Sequence, residues 1–421
     1  MPFRKRYIPL LCLPLIAAGM CIVYFSHTTE KIVHIWTDQS AFASYAELFN
    51  ASQDSYHVIV EYKASPVTSF PAVQQPQPDI VIGTWLKNEK VRKNFLPLEY
   101  LFDDIKLSAK DFYPQLLELG NIKNKQYLLP VSFNLPVIIF SEENQQFVDD
   151  NFMLSVAQIR EAGKNFNVQN KNGSYSAMGF SPRWNADFMY VVSKLFDTQY
   201  AENKVLFSFD ETALQNAVAY LRSWSADNTS TVHEDDFQFK YLYNPVYKLV
   251  TSGKCLFGYT KSDELFALPS DRLQNIDFRW IHQNNNIAVA DKLIYMGVYR
   301  KTANLDGAQA FILWFLNEHT QKQLLERSVS MNLSTKSFGI SGGFSSIKNV
   351  NERFFPLSYP LLYGHLPTAD YLSPPNILPA RWEDIKKRVV IPYLEEVVAA
   401  ETPETVKDME TRMKSWVKMN Y

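Results

Sequence analysis

Short apolar runs alternate with helical patterns along the first part of the chain. Lys31–Trp36 (KIVHIW), Tyr56–Tyr62 (YHVIVEY) and Asp79–Leu86 (DIVIGTWL) are rich in β-branched residues, which is typical of strands. Between the first two, the stretch Phe42–Asn50 places apolar side chains at helical spacing behind Ser40, a suitable N-cap. Strands that alternate with helices predict βαβ units and a parallel sheet.

The second part of the chain predicts mostly helices around a buried strand. Ser155 and Gln158 form a capping box at the start of AQIREAGKNF, and Pro182 stands where the helix of SPRWNADFMYVVSKLF would begin. The buried strand is CLFGY, which begins at Cys255. Further helices are predicted from the amphipathic stretches ETALQNAVAYLRSW, NLDGAQAFILWFLNE and HTQKQLLER and from the tail Pro403–Trp416.

The stretch Tyr127–Phe140 (YLLPVSFNLPVIIF) joins two apolar runs across a short polar break. Each run is typical of a buried strand, and the break Ser132–Asn134 lies between Pro130 and Pro136, which limit the local φ range. A hairpin is the simplest interpretation, but a tight hairpin turn normally carries Asn-Gly or a similar pair, and none is present here. The pattern is therefore not that of a hairpin.

Composition and charge exclude several classes of function. The 421 residues suggest two or more domains or one large bilobal unit, and 46% hydrophobic residues indicate a packed body. A formal charge of −2 without a basic stripe argues against a nucleic-acid partner. The chain has 14 glycines and no glycine-rich phosphate loop, and it shows no nucleophile elbow, triad motif or paired acid. We therefore expect neither an enzyme nor a bound cofactor.

Residues 1–27 combine a basic start with an apolar run, which is typical of a targeting segment. In one interpretation Ala18–Cys21 is a loose lipobox, and Cys21 carries the lipid. In the other the run is an uncleaved anchor, since its length is near the ~20 residues that span a bilayer. Met20 and the apolar Ile22–Phe25 favour the anchor, but lipoboxes are relaxed in some bacteria, and we favour lipidation. Either way the body is exported and tethered at the cell envelope, on the periplasmic face or the cell surface.

Two further features have a simple structural explanation. Cys255 is the one cysteine of the body, so no disulfide forms there, and its apolar surroundings predict a small buried residue. His233–Asp236 (HEDD) has the residue types of a metal site, but consecutive acids point in different directions. We predict an exposed turn there and no metal.

Several stretches, in the same order along the chain, resemble the extracellular solute-binding proteins of ABC importers, specifically the large sugar-binding type that includes maltose-binding protein. HIWTDQSAFASYAELFN is similar to the opening strand and helix of that family, and PDIVIGTWL to its third strand. NKQYLLPVSFNLPVIIFSEE is similar to its first crossover between lobes. The stretches SGKCLFGY, AQAFILWFLNEHTQKQLLE and Arg381–Trp416 extend the resemblance, which covers about residues 30–421.

The resemblance implies an α/β fold of the periplasmic binding protein type, in which two α/β lobes are joined by hinge crossovers with a ligand cleft between them. Residues 30–133 and 285–330 would form the first lobe, and residues 134–284 and 331–421 the second lobe with the C-terminal helices. The polar break would be a crossover, because an extended backbone spans a gap with few residues. Hinge bending is implied at Ser132–Asn134, Asn284–Ala290 and Ser328–Ser334.

Ligands of open α/β sheets lie beyond the carboxyl ends of the strands, so polar and aromatic residues at strand ends, helix starts and crossovers are candidates for contact. Asp38 is as well suited to capping a helix as to binding a ligand, and Trp85 is as well suited to the core as to stacking on a ligand. We expect a neutral sugar stacked on Trp85 and Trp184 from opposite lobes, because the nearby charges have mixed sign. The ligand-binding candidates are Thr37, Asp38, Gln39, Trp85, Ser132, Asn134, Trp184, Asn185, Tyr259 and Phe344.

The resemblance also implies a function. The chain would be the monomeric substrate-binding component of an ABC importer, which captures a sugar or oligosaccharide and delivers it to permease subunits in the membrane. The alternative is a lipoprotein of the same fold that acts as an adhesin, sensor or structural tether. A hydrolase whose acids are not recognisable from sequence is a third class.

The targeting segment predicts that the protein is found in the membrane fraction, and Cys21→Ala distinguishes its two interpretations. A lipoprotein loses acyl labelling and processing in this variant, whereas a spanning anchor changes neither. Fractionation of cells grown with labelled fatty acid measures the difference, and Cys12→Ala is the matched control. A wild-type protein that is fully soluble in the periplasm contradicts both interpretations.

Overall fold

The computed structural model describes residues 31–73, 75–103, 107–149, 151–204, 206–331 and 337–420. The predicted targeting segment, with Cys21, lies outside the described residues. Within these ranges, no helix is both long enough and apolar enough to cross a bilayer.

A six-stranded sheet and a four-stranded sheet form the centres of two lobes. Their strands in chain order are β1 (Lys31–Thr37), β2 (Tyr56–Tyr62), β3 (Ile80–Gly83), β4 (Leu129–Phe133), β5 (Pro136–Ser141), β6 (Met153–Ser155), β7 (Phe257–Lys261), β8 (Ile276–His282), β9 (Ile294–Val298) and β10 (Phe344–Ser345). The first lobe has the order β10-β4-β9-β3-β1-β2, and the second has β7-β5-β8-β6. The α/β fold with two lobes is thereby confirmed.

Strand direction departs from the prediction of a parallel sheet. β1 pairs in parallel with β2 and β3, as the sequence predicts, but β9 runs antiparallel to both β3 and β4. In the second lobe β5 is antiparallel to β7 and β8. The reason is the crossovers: β5 and β9 enter their sheets from the other lobe, so their direction is not set by a local βαβ unit.

Helices cover both sheets. The longer ones are α1 (Ala41–Ser52), α2 (Val156–Phe166), α3 (Ala186–Leu195), α4 (Glu211–Asn228), α5 (Thr231–Lys240), α6 (Leu305–Phe315), α7 (Glu318–Ser330), α8 (Ile391–Ala399) and α9 (Met409–Asn420). Shorter helices are Glu89–Arg92, Pro114–Glu118, Val246–Thr251, Ser262–Leu265, Ser270–Leu273, Lys348–Arg353, Phe355–Ser358 and Trp382–Ile385. The capping box of Ser155 and Gln158 is confirmed at the start of α2.

Three local predictions need correction. The helix expected from Pro182 begins later, because Pro182–Trp184 forms a separate 3₁₀ turn and the Asn185 side chain caps α3. The tail is likewise a 3₁₀ turn at Pro403–Thr405 followed by α9. The HEDD stretch is not an exposed turn but lies on α5, where Glu234 is fully buried and accepts a hydrogen bond from the Ser225 hydroxyl at 2.9 Å.

The chain crosses between the lobes at three segments that lie side by side. The first links β4 to β5 at residues 134–135, and the second links β8 to β9 at residues 283–293. The backbone N–H of Ala290 donates to the Asn134 carbonyl at 2.9 Å, and that of Val289 donates to the Ser373 carbonyl at 2.9 Å. The third crossing is therefore at Ser373, where the chain passes to the C-terminal helices.

This third crossing differs from the one expected at Ser328–Ser334. Ser328–Ser330 ends α7, and residues 332–336 lie outside the described ranges. β10 follows and pairs with β4 in the sheet of the first lobe. β10 therefore belongs to the sheet of the first lobe, whereas the prediction assigns residues from 331 onward to the second lobe.

An aromatic cluster brings residues of the two lobes together. Phe266 and Trp280 come from the second lobe, and Phe338 and Phe344 come from the segment around β10. The Phe266 and Phe338 rings stack with centroids 4.9 Å apart, and the Trp280 and Phe344 rings are 5.8 Å apart. All four side chains are buried. This contact makes the two lobes share apolar packing.

Phe266→Ala is expected to lower the free energy of unfolding by about 3–5 kcal/mol, because truncation of a buried ring leaves a cavity that the aromatic cluster cannot refill. Urea denaturation measures this change. Leu357→Ala is the control, since Leu357 is 66% exposed and should lose little. An equally small loss in both variants would show that the cluster does not hold the lobes together.

Candidate ligand-binding site

A cavity of about 320 Å³ lies between the lobes at the crossovers. The first lobe contributes Trp85, and the crossovers contribute Asn134 and Asp291. The second lobe contributes α3, the end of β7, and the turn of π-helix, Lys386–Val390, that leads into α8. The volume falls at the lower end of the ~300–1,000 Å³ that small-molecule sites occupy. The cavity is therefore the candidate ligand site.

One face of α3 supplies the polar floor of this cavity. Asp187, Tyr190 and Lys194 follow one another at spacings of three and four residues, which places them on the same face of a helix. Asn185 fixes the start of the helix, because its Oδ1 accepts the backbone N–H groups of Asp187 and Phe188 at 2.9 and 3.2 Å. This cap sets the start of the helix that carries the stripe of Asp187, Tyr190 and Lys194.

Two carboxylates and two lysines form a connected network on that floor. Asp187 accepts hydrogen bonds from the Tyr259 hydroxyl and from Lys386 Nζ, both at 2.6 Å. Asp291 accepts from Lys194 Nζ at 2.8 Å. Lys386 Nζ also lies 3.7 Å from Asp291 Oδ2 and thus links the two carboxylates. Each acid is compensated by a cation before any ligand binds.

The same contacts set the ionisation of the network. Burial alone would raise the pKa of Asp291, but Lys194 and Lys386 outweigh it and hold the pKa well below its usual range. Burial opposes ionisation of Asp187 too, and Lys386 and Tyr259 together lower its pKa. Burial and the neighbouring Asp187 raise the pKa of Tyr259 well above its usual value. At neutral pH both acids are charged, and the tyrosine keeps its proton as a donor.

Aromatic rings complete the walls. Trp382 is buried and donates its indole N–H to Asp291 at 2.9 Å, and Lys386 Nζ lies 3.8 Å above the ring of Tyr190. Trp85 is half-buried and contacts the apolar cores of both lobes. It is therefore a ring that a ligand can reach.

Trp85 is held in place by the polar residues that follow β1 and β3. Its backbone has a φ of +63°, an uncommon conformation for a residue other than glycine. The Asp38 carboxylate accepts hydrogen bonds from the N–H and hydroxyl of Thr84 at 3.3 and 3.0 Å, and Asn88 donates to the Trp85 carbonyl at 2.7 Å. Asp38 thus orders the loop that carries the ring.

The other predicted residues of this strand end also have hydrogen-bond partners within the protein. Thr37 is fully buried, and its hydroxyl accepts the backbone N–H of Gln39 at 3.0 Å. Gln39 donates its amide to Asp38 at 2.6 Å. None of Thr37, Asp38 and Gln39 lines the cavity. Asp38 contacts the loop of Trp85, and a ligand contact of these three residues stays a prediction.

At the first crossover the structure separates two predicted residues. Asn134 lines the cavity and accepts a hydrogen bond from the Ser262 hydroxyl at 2.7 Å. Ser132 is 3% exposed, and its hydroxyl donates to the Ser341 carbonyl at 3.3 Å, because the loop before β10 covers it. Phe344 is 1% exposed within the aromatic cluster. Neither Ser132 nor Phe344 is accessible from the cavity in this conformation.

Trp184 and Asn185 line a second cavity of about 180 Å³ in the second lobe. The Trp184 ring stacks on Phe237 with centroids 5.3 Å apart, and its indole N–H donates to the Glu234 carbonyl at 3.0 Å. Tyr259 lines both cavities. Trp85 and Trp184 therefore do not face each other across one space, and a role of Trp184 in binding stays a prediction for a ligand that reaches the second cavity.

Most residues of the polar floor are not among the candidates predicted from the sequence. The stripe of Asp187, Tyr190 and Lys194 carried a usable signal, since polar residues at helical spacing interrupt an otherwise apolar helix. Asp291 and Lys386 carried none, because their partners are far away in sequence. Lys194 lies 97 positions from Asp291, and Asp187 lies 199 positions from Lys386.

No family model and no curated protein sequence matches the chain. Solved structures do. A sugar-binding protein MalE from Xanthomonas citri superposes with a TM-score of 0.68 at 11% identity over 93% of this chain and 100% of that one. The substrate-binding protein Lmo0181 of Listeria monocytogenes, in complex with cycloalternan, superposes with a TM-score of 0.61 at 14% identity over 93% of this chain and 98% of that one. A family 1 extracellular solute-binding protein of Alicyclobacillus acidocaldarius superposes with a TM-score of 0.62 at 12% identity over 93% of this chain and 98% of that one.

The chain has the fold of these solute-binding proteins. Each superposition covers 93% of this chain, so the likeness includes both lobes and the crossovers. At these identities the likeness establishes the maltose-binding-protein fold and leaves function to the site.

Lys87 lies beside this site without a carboxylate partner among the described residues. It is 7% exposed, and its Nζ lies 4.8 Å from the centroid of the Tyr295 ring. Burial lowers the pKa of Lys87 from 10.5 to about 7, with Asp291 raising it and Lys194 lowering it to smaller extents. The ammonium form is therefore disfavoured inside this fold.

The unfolded chain binds more protons at Lys87 than the folded chain between pH 7 and 10.5, so this residue makes stability rise with pH in that range. Lys87→Met is expected to raise the thermal midpoint at pH 6.5, and the gain should shrink towards pH 10. Melting curves across this range, with the exposed Lys171→Met as control, measure the effect. A gain in thermal midpoint that is the same at every pH would contradict the lowered pKa of Lys87.

Proposed function

We propose that the chain is the substrate-binding component of an ABC importer, which captures a neutral sugar or short oligosaccharide and passes it to permease subunits without chemical change. One observation carries this proposal. The cavity between the lobes combines a reachable tryptophan, Trp85, with two acids, Asp187 and Asp291, that are each paired with a lysine. The cycloalternan bound to the Listeria protein supports the ligand class.

The charge balance of the cavity favours a neutral ligand with many hydroxyl groups. Asp187 and Asp291 are each paired with a lysine, so an added ionic group would have to displace an existing ion pair. A sugar hydroxyl can instead donate to a carboxylate and accept from a lysine or from Tyr259 without breaking the pairing. The sugar face, which carries C–H groups, suits the ring of Trp85.

The position of the cavity suits binding coupled to hinge motion. Its walls come from both lobes and from the crossovers, so a ligand that contacts Trp85 and Asp187 bridges the lobes and stabilises their closed arrangement. Such a closed form is what a permease could distinguish from the empty protein. Export and tethering at the envelope follow from the targeting segment and belong to the same proposal.

A thermal-shift screen of mono- and oligosaccharides on the purified full chain tests the ligand class, since a bound ligand raises the midpoint by mass action. For the sugar that binds, Trp85→Ala is expected to lower affinity about tenfold to a hundredfold, or ~1–3 kcal/mol, through loss of the stacking ring. Isothermal titration measures this change.

Two further tryptophan variants make the test specific. Trp314→Ala is the matched control, because Trp314 is also half-buried but packs against Phe49 and Phe311 away from the cavity. Trp184→Ala should weaken binding of ligands that extend into the second cavity and spare shorter ones. If a peptide or polyamine shifts the midpoint while no sugar does, the ligand class is wrong.

A further inference from the structure

An exposed apolar segment of the second lobe spans the end of α5, the turn after it and the start of the short helix Val246–Thr251. We name residues 239–246 the apolar tip. Phe239 is 80% exposed, Leu242 56%, Tyr243 93% and Val246 39%. Elsewhere in the described part of the chain, exposed large apolar side chains are more scattered, which is the ordinary condition of a protein surface. Four within eight residues form a patch.

The base of the tip is packed, so its exposure is not a sign of a loose segment. Phe237 is 4% exposed and stacks on Trp184, and the Tyr241 ring lies 4.9 Å from that of Phe237. Gln238 donates its amide to the Trp184 carbonyl at 3.3 Å. The inward residues of this segment thus secure it to the lobe, while Phe239, Leu242 and Tyr243 contribute little to the core.

Lysines border the tip. From residue 237 to residue 262 the sequence contains Lys240, Lys248, Lys254 and Lys261 and no acidic residue, although the whole chain has a formal charge of −2. Lys240 and Lys248 are exposed. Within the described ranges, Lys240, Lys248 and Lys254 have no carboxylate within ion-pair distance. Lys240 and Lys248 thus border the apolar residues, while Asp235 and Asp236 lie one turn earlier on α5, where Asp235 pairs with Arg183.

We propose that the apolar tip inserts into the headgroup region of a bilayer that contains anionic phospholipid. Phenylalanine, leucine and tyrosine side chains gain free energy at the boundary between headgroups and acyl chains, and flanking lysines are attracted to anionic headgroups. A protein partner would also bury the rings, but the unpaired lysines on both sides favour an extended anionic surface. The contact holds the second lobe against the membrane.

A fluorescent label at the tip tests this inference on the full chain. Nitrobenzoxadiazole is attached to Tyr243→Cys in a chain that also carries Cys12→Ser and Cys21→Ser. Cys255 does not interfere, because it is 2% exposed and burial raises the pKa of its thiol to about 12. The same label on Tyr363→Cys is the control, since Tyr363 is 60% exposed and lies outside the tip.

The label emits strongly only in an apolar medium, so it reports the surroundings of the tip whether or not residues 1–30 also attach the chain. With phosphatidylglycerol vesicles we expect a severalfold rise in emission at residue 243 and little change at residue 363. Salt and the Lys240→Glu/Lys248→Glu double variant should reduce the rise. The matched pair Lys171→Glu/Lys204→Glu, at exposed lysines of the same lobe, should leave it unchanged.

Three outcomes overturn the proposal. Emission at residue 243 that stays as low as at residue 363 shows that the tip remains in water. Strong emission without vesicles shows that a segment of the chain or a second copy covers the tip. A rise that needs a membrane protein in the vesicles shows that the partner is a protein. Sugar binding is measured separately, so failure of either proposal leaves the other standing.

Discussion

The extended crossovers must satisfy two environments at once, because side chains on an extended backbone point alternately to opposite sides. Asn134 in the first crossing and Ala288 in the second line the cavity, whereas Leu135 and Val289 are fully buried in the apolar core. Hydrogen bonds between the crossings fix their relative register. The same short segments therefore contribute both to the wall of the cavity and to the apolar core.

Electrostatic pairing stabilises the buried acids of the cavity. A lone buried carboxylate would be costly, and Asp291 is tolerated on the crossover because Lys194 and Trp382 donate to it. Both donors belong to the second lobe, so the pairing also attaches that lobe to the crossing. This pairing is the basis of the proposed preference for a neutral ligand. Lys87 is the exception, since burial without a carboxylate partner among the described residues disfavours its charged form.

The second lobe carries the polar floor of the cavity and, on the surface, the apolar tip. The second cavity, of about 180 Å³, is lined by Tyr259 and Trp184, and Leu242 of the tip lines it as well. A surface contact at the tip is thereby adjacent to the space that an elongated ligand would enter. The first lobe contributes Trp85 to the site and carries the polar residues that order it.

The sequence by itself determined the periodic elements, since β-branched runs and amphipathic helices reflect local burial, and it located the first crossover from the polar break at Ser132–Asn134. It also indicated Trp85, Asn134 and Tyr259, which line the cavity. Tertiary structure decided the rest. Phe344 is in the core because β10 pairs with β4, and Trp184 lies apart from Trp85 because it packs on Phe237. Asp291 and Lys386 join the site through contacts between residues remote in sequence, and no local pattern encodes which distant cation will compensate a buried acid.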